Sequence, residues 1–386
     1  MNLYVHTPFC RSKCAYCALR SAAVAPGGIP DDFGAFVGRE FAARAAAAPG
    51  PARTVYFGGG TPAVLGAEGL ERLVRALAAA GAVPAPGCEW TVEFNPALAD
   101  AALLGRVIAL GANRASFGVQ SLDDAVLARV GRRHTAAEAE AAVALARRAG
   151  FPSVGIDLIA GLPGDGEDTW RATLVRALAL GVQHISVYAL AVEPGTPLAA
   201  EAAAGRWRPL GDDALLARLA AAKEILSRAG YRRYEISNYA LLGHECRHNL
   251  ACWRGEDYLG LGPGASSRVG LRRRTNAQDW RAWREALAAG RLPPAESEEA
   301  LSPADDAEER FVFGLRMAEG VSPAAFAARH PAAAPLAPRW EAALAGLASV
   351  GVARELSPGR WALTSRGREV ADSAIERLLA VEKARV

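Results

Sequence analysis

The stretch "HTPFCRSKCAYCALR", residues 6–20, contains three of the six cysteines in the chain. Cys10, Cys14 and Cys17 have the spacing C-x3-C-x2-C, which lets their thiolates surround one soft metal centre. A structural zinc site normally takes four protein ligands, and the next cysteine, Cys88, lies far along the chain. Three thiolates instead suit a [4Fe–4S] cluster with one iron left open to a substrate or cofactor. Buried or zinc-binding thiols are the alternative interpretation.

Short apolar strands alternate with helical patterns around and beyond this stretch. This alternation predicts a parallel sheet covered by helices. We expect strands over 3–7, 53–57, 89–94, 113–119, 153–159 and 184–190. We expect helices over 67–80, 99–110, 135–149, 167–180 and 212–229, and an earlier one that contains Phe33, Phe36, Val37 and Phe41.

Polar and glycine-rich residues fall at the carboxyl ends of the predicted strands. Cys10 follows the first strand, "GGGTP" (58–62) follows the second, and Glu93, Gln120 and Asp157 belong to the next three. In a parallel α/β barrel these strand ends share one rim, where loops build active sites. The sequence therefore predicts one composite site.

The stretch "YVHTPFCRSKCAYC" (4–17) resembles the signature of the radical S-adenosylmethionine (SAM) superfamily. The resemblance implies an α/β fold, namely a partial (βα)6 TIM-like barrel. It also implies a [4Fe–4S] cluster on Cys10, Cys14 and Cys17, with SAM bound at the open iron. An electron donor is implied as well, because the cluster passes an electron to the sulfonium.

The same resemblance assigns roles to individual residues at the rim. The glycine-rich turn would bind the amino group of SAM. Arg132 would bind its carboxylate, although the adjacent Arg133 is an alternative for this role. Asp157 would accept a hydrogen bond from its sugar. Glu93 and Gln120 would hold the methionyl and ribose parts, and Ala191 would line the adenine pocket. The full set of implied SAM contacts is Tyr4, Tyr16, Gly59, Gly60, Thr61, Glu93, Gln120, Arg132, Asp157 and Ala191.

Nearly the whole chain, and residues 234–267 most of all, resembles the oxygen-independent coproporphyrinogen III oxidase-like family. True oxidases of this family carry a fourth cysteine two residues after the third, where this chain has Leu19, and a longer segment before the cluster. The heme chaperone branch carries a His-Asn-x-x-Tyr-Trp motif. The matching residues here are His248, Asn249, Cys252 and Trp253, so cysteine replaces the tyrosine.

This second resemblance implies a heme chaperone that binds heme through His248 and transfers it to a recipient hemoprotein. The alternative function is oxygen-independent coproporphyrinogen III oxidase, which acts in porphyrin biosynthesis. Two other interpretations of the motif stay open. His248 could be a core histidine bonded to backbone, and a zinc site could form from His244, Cys246, His248 and Cys252.

Composition restricts the partners and the compartment. The net charge is only +3, which gives no strong case for a nucleic-acid partner, and a solvated loop explains the basic stretch "LRRRTNA" (271–277) as well. We expect no transmembrane segment, because no apolar run reaches ~18 residues, although peripheral association with a membrane is compatible with the sequence. Clustered cysteines without a secretory leader indicate a reducing, cytoplasmic location.

We expect three regions along the chain. Residues 1–240 form the barrel, 241–300 a connecting region with the heme motif, and 301–386 a winged-helix-like module. The module should contain a helix capped near Ser302, a helix over 338–350, a hairpin over 352–364 and a last helix over 365–380.

Overall fold

The first half of the chain forms six parallel strands joined by helices. The computed structural model describes residues 1–25 and 27–380. In chain order the first elements are β1 Asn2–Thr7, β2 Phe9–Cys10, β3 Ala22–Ala23, α1 Phe33–Arg44, β4 Ala52–Gly59, α2 Gly66–Ala79, β5 Pro84–Phe94, α3 Ala101–Ala109, β6 Arg114–Gln120, α4 Asp124–Arg129, α5 Ala136–Ala149, β7 Ser153–Ala160, α6 Glu167–Ala179 and β8 His184–Ala189.

Strands β1, β4, β5, β6, β7 and β8 are neighbours in this order, and every pair is parallel. The helices pack on the outside through apolar residues at helical spacing, as Leu70, Leu73 and Leu77 of α2 show. The carboxyl ends of the six strands therefore lie along a common edge. The predicted partial (βα)6 barrel is confirmed, with β5 starting five residues earlier than expected.

The sheet continues past the barrel strands on both sides. The next elements are α7 Pro197–Ala203, α8 Asp212–Arg228, β9 Arg232–Arg233, β10 Asn238–Ala240, α9 Arg247–Trp253, β11 Tyr258–Leu261, β12 Ser266–Val269, β13 Arg272–Asn276, α10 Trp280–Ala288 and β14 Ala295–Ala300. β11 pairs in parallel with β1 and leads to antiparallel β12, β13 and β14, whereas β10 pairs antiparallel with β8. Residues 241–300 thus extend the barrel sheet.

The interpretation of 271–277 as a solvated loop is wrong. Arg272–Asn276 is strand β13, and its partner β14 has the acidic sequence "AESEEA". Arg273 contacts Glu299 at 2.5 Å and Arg274 contacts Glu298 at 2.6 Å. Opposite charges on facing strands stabilise such a pair, so this basic stretch is neutralised within the fold.

A buried carboxylate joins α1 to the extension of the sheet. Glu40 is fully buried and accepts hydrogen bonds from the Trp283 indole (2.9 Å), the Gly262 backbone N–H (2.8 Å) and the Asn276 amide (2.7 Å). Arg44, one turn later, forms an ion pair with it at 3.1 Å. Because a buried carboxylate is stable only when its lone pairs are satisfied, this cluster holds β11–β13 against the barrel.

The C-terminal module has a core of its own. Its elements are α11 Pro303–Gly314, α12 Pro323–Arg329, α13 Ala337–Ser349, β15 Ala353–Ser357, β16 Arg360–Leu363, α14 Ser365–Glu369 and α15 Ala371–Ala380. Phe311 and Trp340 stack at 3.8 Å between ring centroids in its centre. The Ser302 hydroxyl caps α11 by accepting from the Asp305 N–H. The module is thereby a second packed unit after the sheet.

Two details of this module differ from the sequence prediction. The last helix is broken at Val370, whose ψ of 34° departs from helical geometry, so 365–380 forms α14 and α15. The short helix α12, which Ser322 caps, was not predicted. Residues 381–386 of the predicted module lie outside the described residues. None of the helices in the described part of the chain is long and apolar enough to cross a membrane.

Candidate functional site

A cavity of about 620 Å³ lies at the carboxyl edge of the parallel strands. Most of the residues predicted for the composite site line it. These are Cys10, Cys14, Tyr16, Cys17, Gly59, Gly60, Thr61, Glu93, Gln120, Arg132 and Asp157. Strand ends and loops that are far apart in sequence therefore meet around one space.

Backbone hydrogen bonds hold the cysteine loop over this cavity. The Ala15 N–H donates to the Val130 carbonyl at 3.0 Å, and the Val24 N–H donates to the Cys10 carbonyl at 2.8 Å. All three thiols of the loop are free and partly buried. The loop thus presents Cys10, Cys14 and Cys17 to the cavity from fixed backbone positions.

The surroundings of the thiols combine partial burial with nearby positive charge. Within residues 1–25 and 27–380, no group of three or more His, Cys, Asp or Glu side chains is placed to hold one metal ion. Burial raises the pKa of Cys17, whereas the Leu19 N–H and Lys13 act in the opposite direction. Arg132 Nη1 lies 3.6 Å from Cys14 Sγ and supplies positive charge beside it.

The three consecutive glycines are required by close packing. A Cβ on Gly58 would lie 2.8 Å from the Tyr56 ring and 2.9 Å from the Glu93 carboxylate. Gly59 has a φ of +101°, and a Cβ there would meet the His6 ring at 2.5 Å. Gly60 leaves no room beside the Phe9 carbonyl. The turn is therefore built so that the cysteine loop and the Glu93 carboxylate can approach it.

Two of the backbone donors in this turn are already used. The Gly60 N–H donates to the Thr7 carbonyl at 2.7 Å and the Thr61 N–H donates to the Phe9 carbonyl at 2.8 Å. These bonds attach the turn to the segment that leads into Cys10. The Thr61 hydroxyl lies 3.6 Å from Cys10 Sγ, so Thr61 contacts the cysteine loop directly.

Two carboxylates face the cavity from neighbouring parts of the sheet. Burial raises the pKa of Glu93 to about 7, although the Tyr56 hydroxyl, which donates to Glu93 Oε1 at 2.6 Å, works against the rise. Burial also raises the pKa of Asp157 to about 6, opposed by a hydrogen bond from Ser186. Both groups gain by meeting a cation or hydrogen-bond donor in the cavity.

Gln120 has a strained backbone at the end of β6. Its φ is +71°, and among the described non-glycine residues it alone has a positive φ. The Gln120 amide and Arg132 both lie over Gly118, where a Cβ would be 2.8 Å from the amide nitrogen, and Arg132 also donates to the Gly118 carbonyl. Strain of this kind persists where the surrounding structure enforces it, often at ligand sites.

Tyr4 and Ala191 are the two predicted SAM contacts outside the cavity lining. The Tyr4 hydroxyl bonds His6 Nδ1 at 3.0 Å, and its ring lies against Tyr56 at 6.1 Å between centroids. Ala191 is exposed after β8. The assignments of both residues to SAM stay predictions.

Sequence reasoning missed two tyrosines near this site. Tyr188 lines the cavity from β8, and Tyr56 holds Glu93 from β4. The period-two alternation of strands was the available signal. It places Tyr188 on the same face as Ser186, and Tyr56 on the same face as Gly58.

His248 is enclosed at a different position in the barrel. It is 6% exposed, on helix α9, and its ring lies 5.0 Å from that of Tyr56. Burial lowers its pKa to about 4, so the imidazole is neutral. Thr54 Oγ1 donates to Asn2 Oδ1 at 3.0 Å and lies 2.8 Å from His248 Nδ1. Nδ1 is then the donor to Thr54, and Nε2 carries the lone pair.

The zinc interpretation of residues 244–252 is not supported by the geometry. Cys246 Sγ lies 3.6 Å from Glu89, and burial raises the pKa of this thiol to about 12. His248 is paired with Thr54, and His244 lies beside Ser153 at 3.4 Å. These side chains point to separate partners, and no metal-binding group forms among them in the described residues.

The residues at the cavity fit a [4Fe–4S] cluster and a nucleoside that carries an amino acid. Three free thiols line one wall. Arg132 has a buried Nε–H without a partner among the described residues, and burial raises the pKa values of the Glu93 and Asp157 carboxyl groups. The volume is in the range of small-molecule sites. A cationic ammonium and an anionic carboxylate would each find a partner here.

Comparisons with known proteins identify the family of the chain. The Radical SAM superfamily model matches residues 4–177, and the HemN C-terminal domain model matches residues 301–370. A protein named Heme chaperone HemW from Mycobacterium tuberculosis is 36% identical over 382 residues, which cover 98% of this chain and 94% of that protein. The protein of the same name from Escherichia coli is 36% identical over 273 residues, 70% of each chain.

A solved structure shows the same fold. It is the coproporphyrinogen III oxidase HemN from Escherichia coli, a radical SAM enzyme, which matches with a TM-score of 0.84 at 23% identity over 98% of this chain and 89% of that one. The superfamily implies a [4Fe–4S] cluster and SAM. On its sequence identity to relatives that it covers almost completely, the chain belongs to the HemW family within the radical SAM superfamily.

Proposed function

We propose that this protein is a heme chaperone, which binds heme and transfers it to a recipient hemoprotein. The observation that carries the proposal is similarity at 36% identity, over 98% of the chain, to proteins named heme chaperones. That similarity includes the barrel, the His248 helix and the C-terminal module. The recipient, an electron donor for the cluster and peripheral membrane association are parts of the proposal that the family alone supports.

We place the cluster on Cys10, Cys14 and Cys17, with one iron left for SAM. When bound, this pair supplies a low-potential electron beside a sulfonium. The cavity supports the assignment because all three thiols line it together with the residues proposed for SAM. Leu19, where true oxidases carry a fourth cysteine, also lines the cavity and is 58% exposed.

The chain's own residues would bind SAM through charge. The Glu93 carboxylate accepts from the ammonium of the methionyl part, and Arg132 donates to its carboxylate. Asp157 accepts a hydrogen bond from the ribose, and Gln120 donates one to it. Tyr56 keeps Glu93 oriented by donating to Oε1. Tyr4 lies one ring behind Tyr56, so its contribution would pass through Tyr56.

We keep His248 as the proposed ligand of heme iron. A neutral imidazole with a free Nε2 lone pair is the form that binds iron, and the bond to Thr54 specifies that tautomer. Because the ring is enclosed, iron binding requires α9 to move away from β4. The cysteine at 252 is partly buried, and burial raises the pKa of its thiol to about 11, which disfavours the thiolate form that binds iron.

The three regions of the chain take different roles in this proposal. We propose that 1–240 acts as the cofactor barrel, 241–300 as the heme-motif region and 301–386 as the module that covers the barrel or meets a partner. The separate apolar cores of the sheet region and of the C-terminal module support the boundary near 300. The continuous sheet joins the first two regions.

A titration of the anaerobically reconstituted protein tests the function. We expect added heme to produce a saturable Soret change, and the loaded protein to restore the spectrum of an apo-hemoprotein. The same preparation with SAM and a reductant should leave coproporphyrinogen III unconsumed. Steady consumption of coproporphyrinogen without heme transfer would show that the protein is an oxidase and not a heme chaperone.

A further inference from the structure

A second cavity, of about 440 Å³, lies between the outer face of β8, helix α8 and the C-terminal module. It shares no lining residue with the cysteine-lined cavity, since Val187 and Ala189 face it while Tyr188 faces the other. We call it the arginine groove, because Arg233, Arg316 and Arg368 line it. None of the residues assigned to the cluster, SAM or heme belongs to it.

All three arginines have unsatisfied donors. Arg233 Nη1, Arg316 Nε and Arg368 Nε are buried N–H groups without a hydrogen-bond partner among the described residues. Within that part of the chain the Arg368 guanidinium makes no hydrogen bond or ion pair, while Arg233 donates to the Ile236 carbonyl at 2.8 Å. Leaving charged donors unpaired is costly, so the groove gains by taking up an acceptor.

The acidic residues at the groove do not neutralise these charges. Asp212, Glu369 and Asp372 also line it. Arg316 contacts Asp372 at 3.3 Å, but the Asp372 side chain is 90% exposed, and exposed pairs contribute little. Burial lowers the pKa of Arg368, the like charges of Arg233 and Arg354 add to the effect, and Tyr239 and Glu369 oppose it. The guanidinium groups of Arg233 and Arg368 therefore repel each other, and a bound anion would relieve this repulsion.

The rest of the groove is apolar. Leu215, Leu216 and Leu219 of α8 line one side, and Ile236 and Val370 complete it. Guanidinium groups pair with carboxylates through parallel hydrogen bonds, and a leucine-lined wall takes up hydrocarbon. The combination suits an apolar molecule that carries one or two carboxylates.

We propose that the arginine groove binds an amphiphilic carboxylate and that its occupant is heme, held by its two propionates. The identity of the occupant rests on the proposed heme chaperone function; the chemistry of the site does not. The groove also connects to the His248 helix. The Arg316 guanidinium lies 4.5 Å from the ring of Trp253, the last residue of α9. Pairing Arg316 with a propionate changes its contact with the end of that helix.

Heme titrations on the reconstituted full-length protein test the groove. The test variant is Arg233→Gln with Arg368→Gln, and the control is Arg75→Gln with Arg228→Gln, whose side chains are 77% and 79% exposed. We expect the test variant to bind heme roughly 10- to 100-fold more weakly and the control to be unchanged. Lysines at 233 and 368 should restore part of the affinity, which shows that the loss is not a folding defect.

Two further ligands and one further variant separate the possible outcomes. Heme dimethyl ester, with blocked propionates, should bind the native chain as weakly as heme binds the test variant. His248→Ala should alter the Soret band of bound heme with only a small change in affinity. If decanoate binds in an arginine-dependent manner and heme does not, the occupant is a fatty acid and the heme assignment is wrong. If heme binds the test variant and the native chain equally well, the groove proposal fails while the chaperone function stands. No heme binding by the native chain refutes the function instead.

Discussion

The cysteine-lined cavity and helix α9 both carry residues that we propose as cofactor ligands, but the fold gives them opposite environments. The cavity has about 620 Å³ of space, free thiols and carboxylates with raised pKa values. His248 on α9 is enclosed, with its Nδ1 satisfied by Thr54 and the Tyr56 ring beside it. The cavity is already open to a ligand, whereas the surroundings of His248 must open before a ligand can reach its ring.

This difference is consistent with the separate roles that we propose for the two regions. A preformed cavity binds without paying for rearrangement, which suits a resident cluster and SAM. An enclosed histidine binds only after a conformational change, which suits a ligand that is taken up and released. Tyr56 lies between them, since its hydroxyl donates to Glu93 and its ring contacts His248.

Cys14→Ser should have the largest effect, because it removes one of the three proposed cluster ligands. We expect the reconstituted variant to lose its cluster and to contain almost no iron or sulfide. The matched control is Cys88→Ser, since Cys88 lies outside the cavity lining. Chemical analysis of iron and sulfide after anaerobic reconstitution measures both. Equal iron in the two variants would remove Cys14 from the ligand set.

His248→Ala should destabilise the protein while leaving the cavity intact. Removing an enclosed ring typically costs about 2–4 kcal/mol of unfolding free energy. Denaturant unfolding measures this cost, and SAM affinity of the cluster-loaded variant should stay within about threefold of the native value. His244→Ala, at a partly exposed position with a longer contact, serves as control. A fully stable His248 variant would show that α9 is already open in solution.

Glu93→Gln should weaken SAM binding by roughly 10- to 100-fold, the usual value of a hydrogen bond to a charged group. Because the pKa of Glu93 is about 7, its carboxylate is formed above that pH and lost below it. Affinity of the native chain should therefore fall as the pH drops through about 7, and the variant should lack this step. Equilibrium dialysis at several pH values measures the effect, with the exposed Glu68→Gln as control. A pH step of the same size in Glu93→Gln would assign it to another group.

Tyr56→Phe should produce the smallest change. The Tyr56 hydroxyl stabilises the charged form of Glu93, so its loss raises the pKa of Glu93 further. The pH midpoint of SAM binding should move upward, with a loss of affinity of only a few-fold near pH 7. Tyr239→Phe, another buried tyrosine outside the cavity, is the control. An unchanged midpoint would mean that Tyr56 does not tune Glu93.

The sequence predicted the barrel well because its signals are local. Apolar strands between amphipathic helices specify parallel pairing, and the glycine and carboxylate residues at strand ends mark the shared edge. The order β1, β4, β5, β6, β7, β8 and the joint lining of the cavity by Cys10, Glu93 and Asp157 follow from that pattern.

The rest depends on contacts between distant residues. Strand β13 was misread as a loop because its acidic partner β14 follows about 20 residues later, after a helix. The motif around His248 suggested a heme ligand, but only the fold shows that Thr54 and Tyr56 enclose it. The arginine groove joins residues from β9, from the turn after α11 and from α14, so no local pattern could indicate it.

Electron paramagnetic resonance of the anaerobically reconstituted, reduced protein tests the central claim most directly. If three thiolates hold a cubane with one open iron at this cavity, the reduced sample shows a [4Fe–4S] signal, and adding SAM changes its shape. A sample without any cubane signal, or with one that SAM leaves unaltered, would contradict the account.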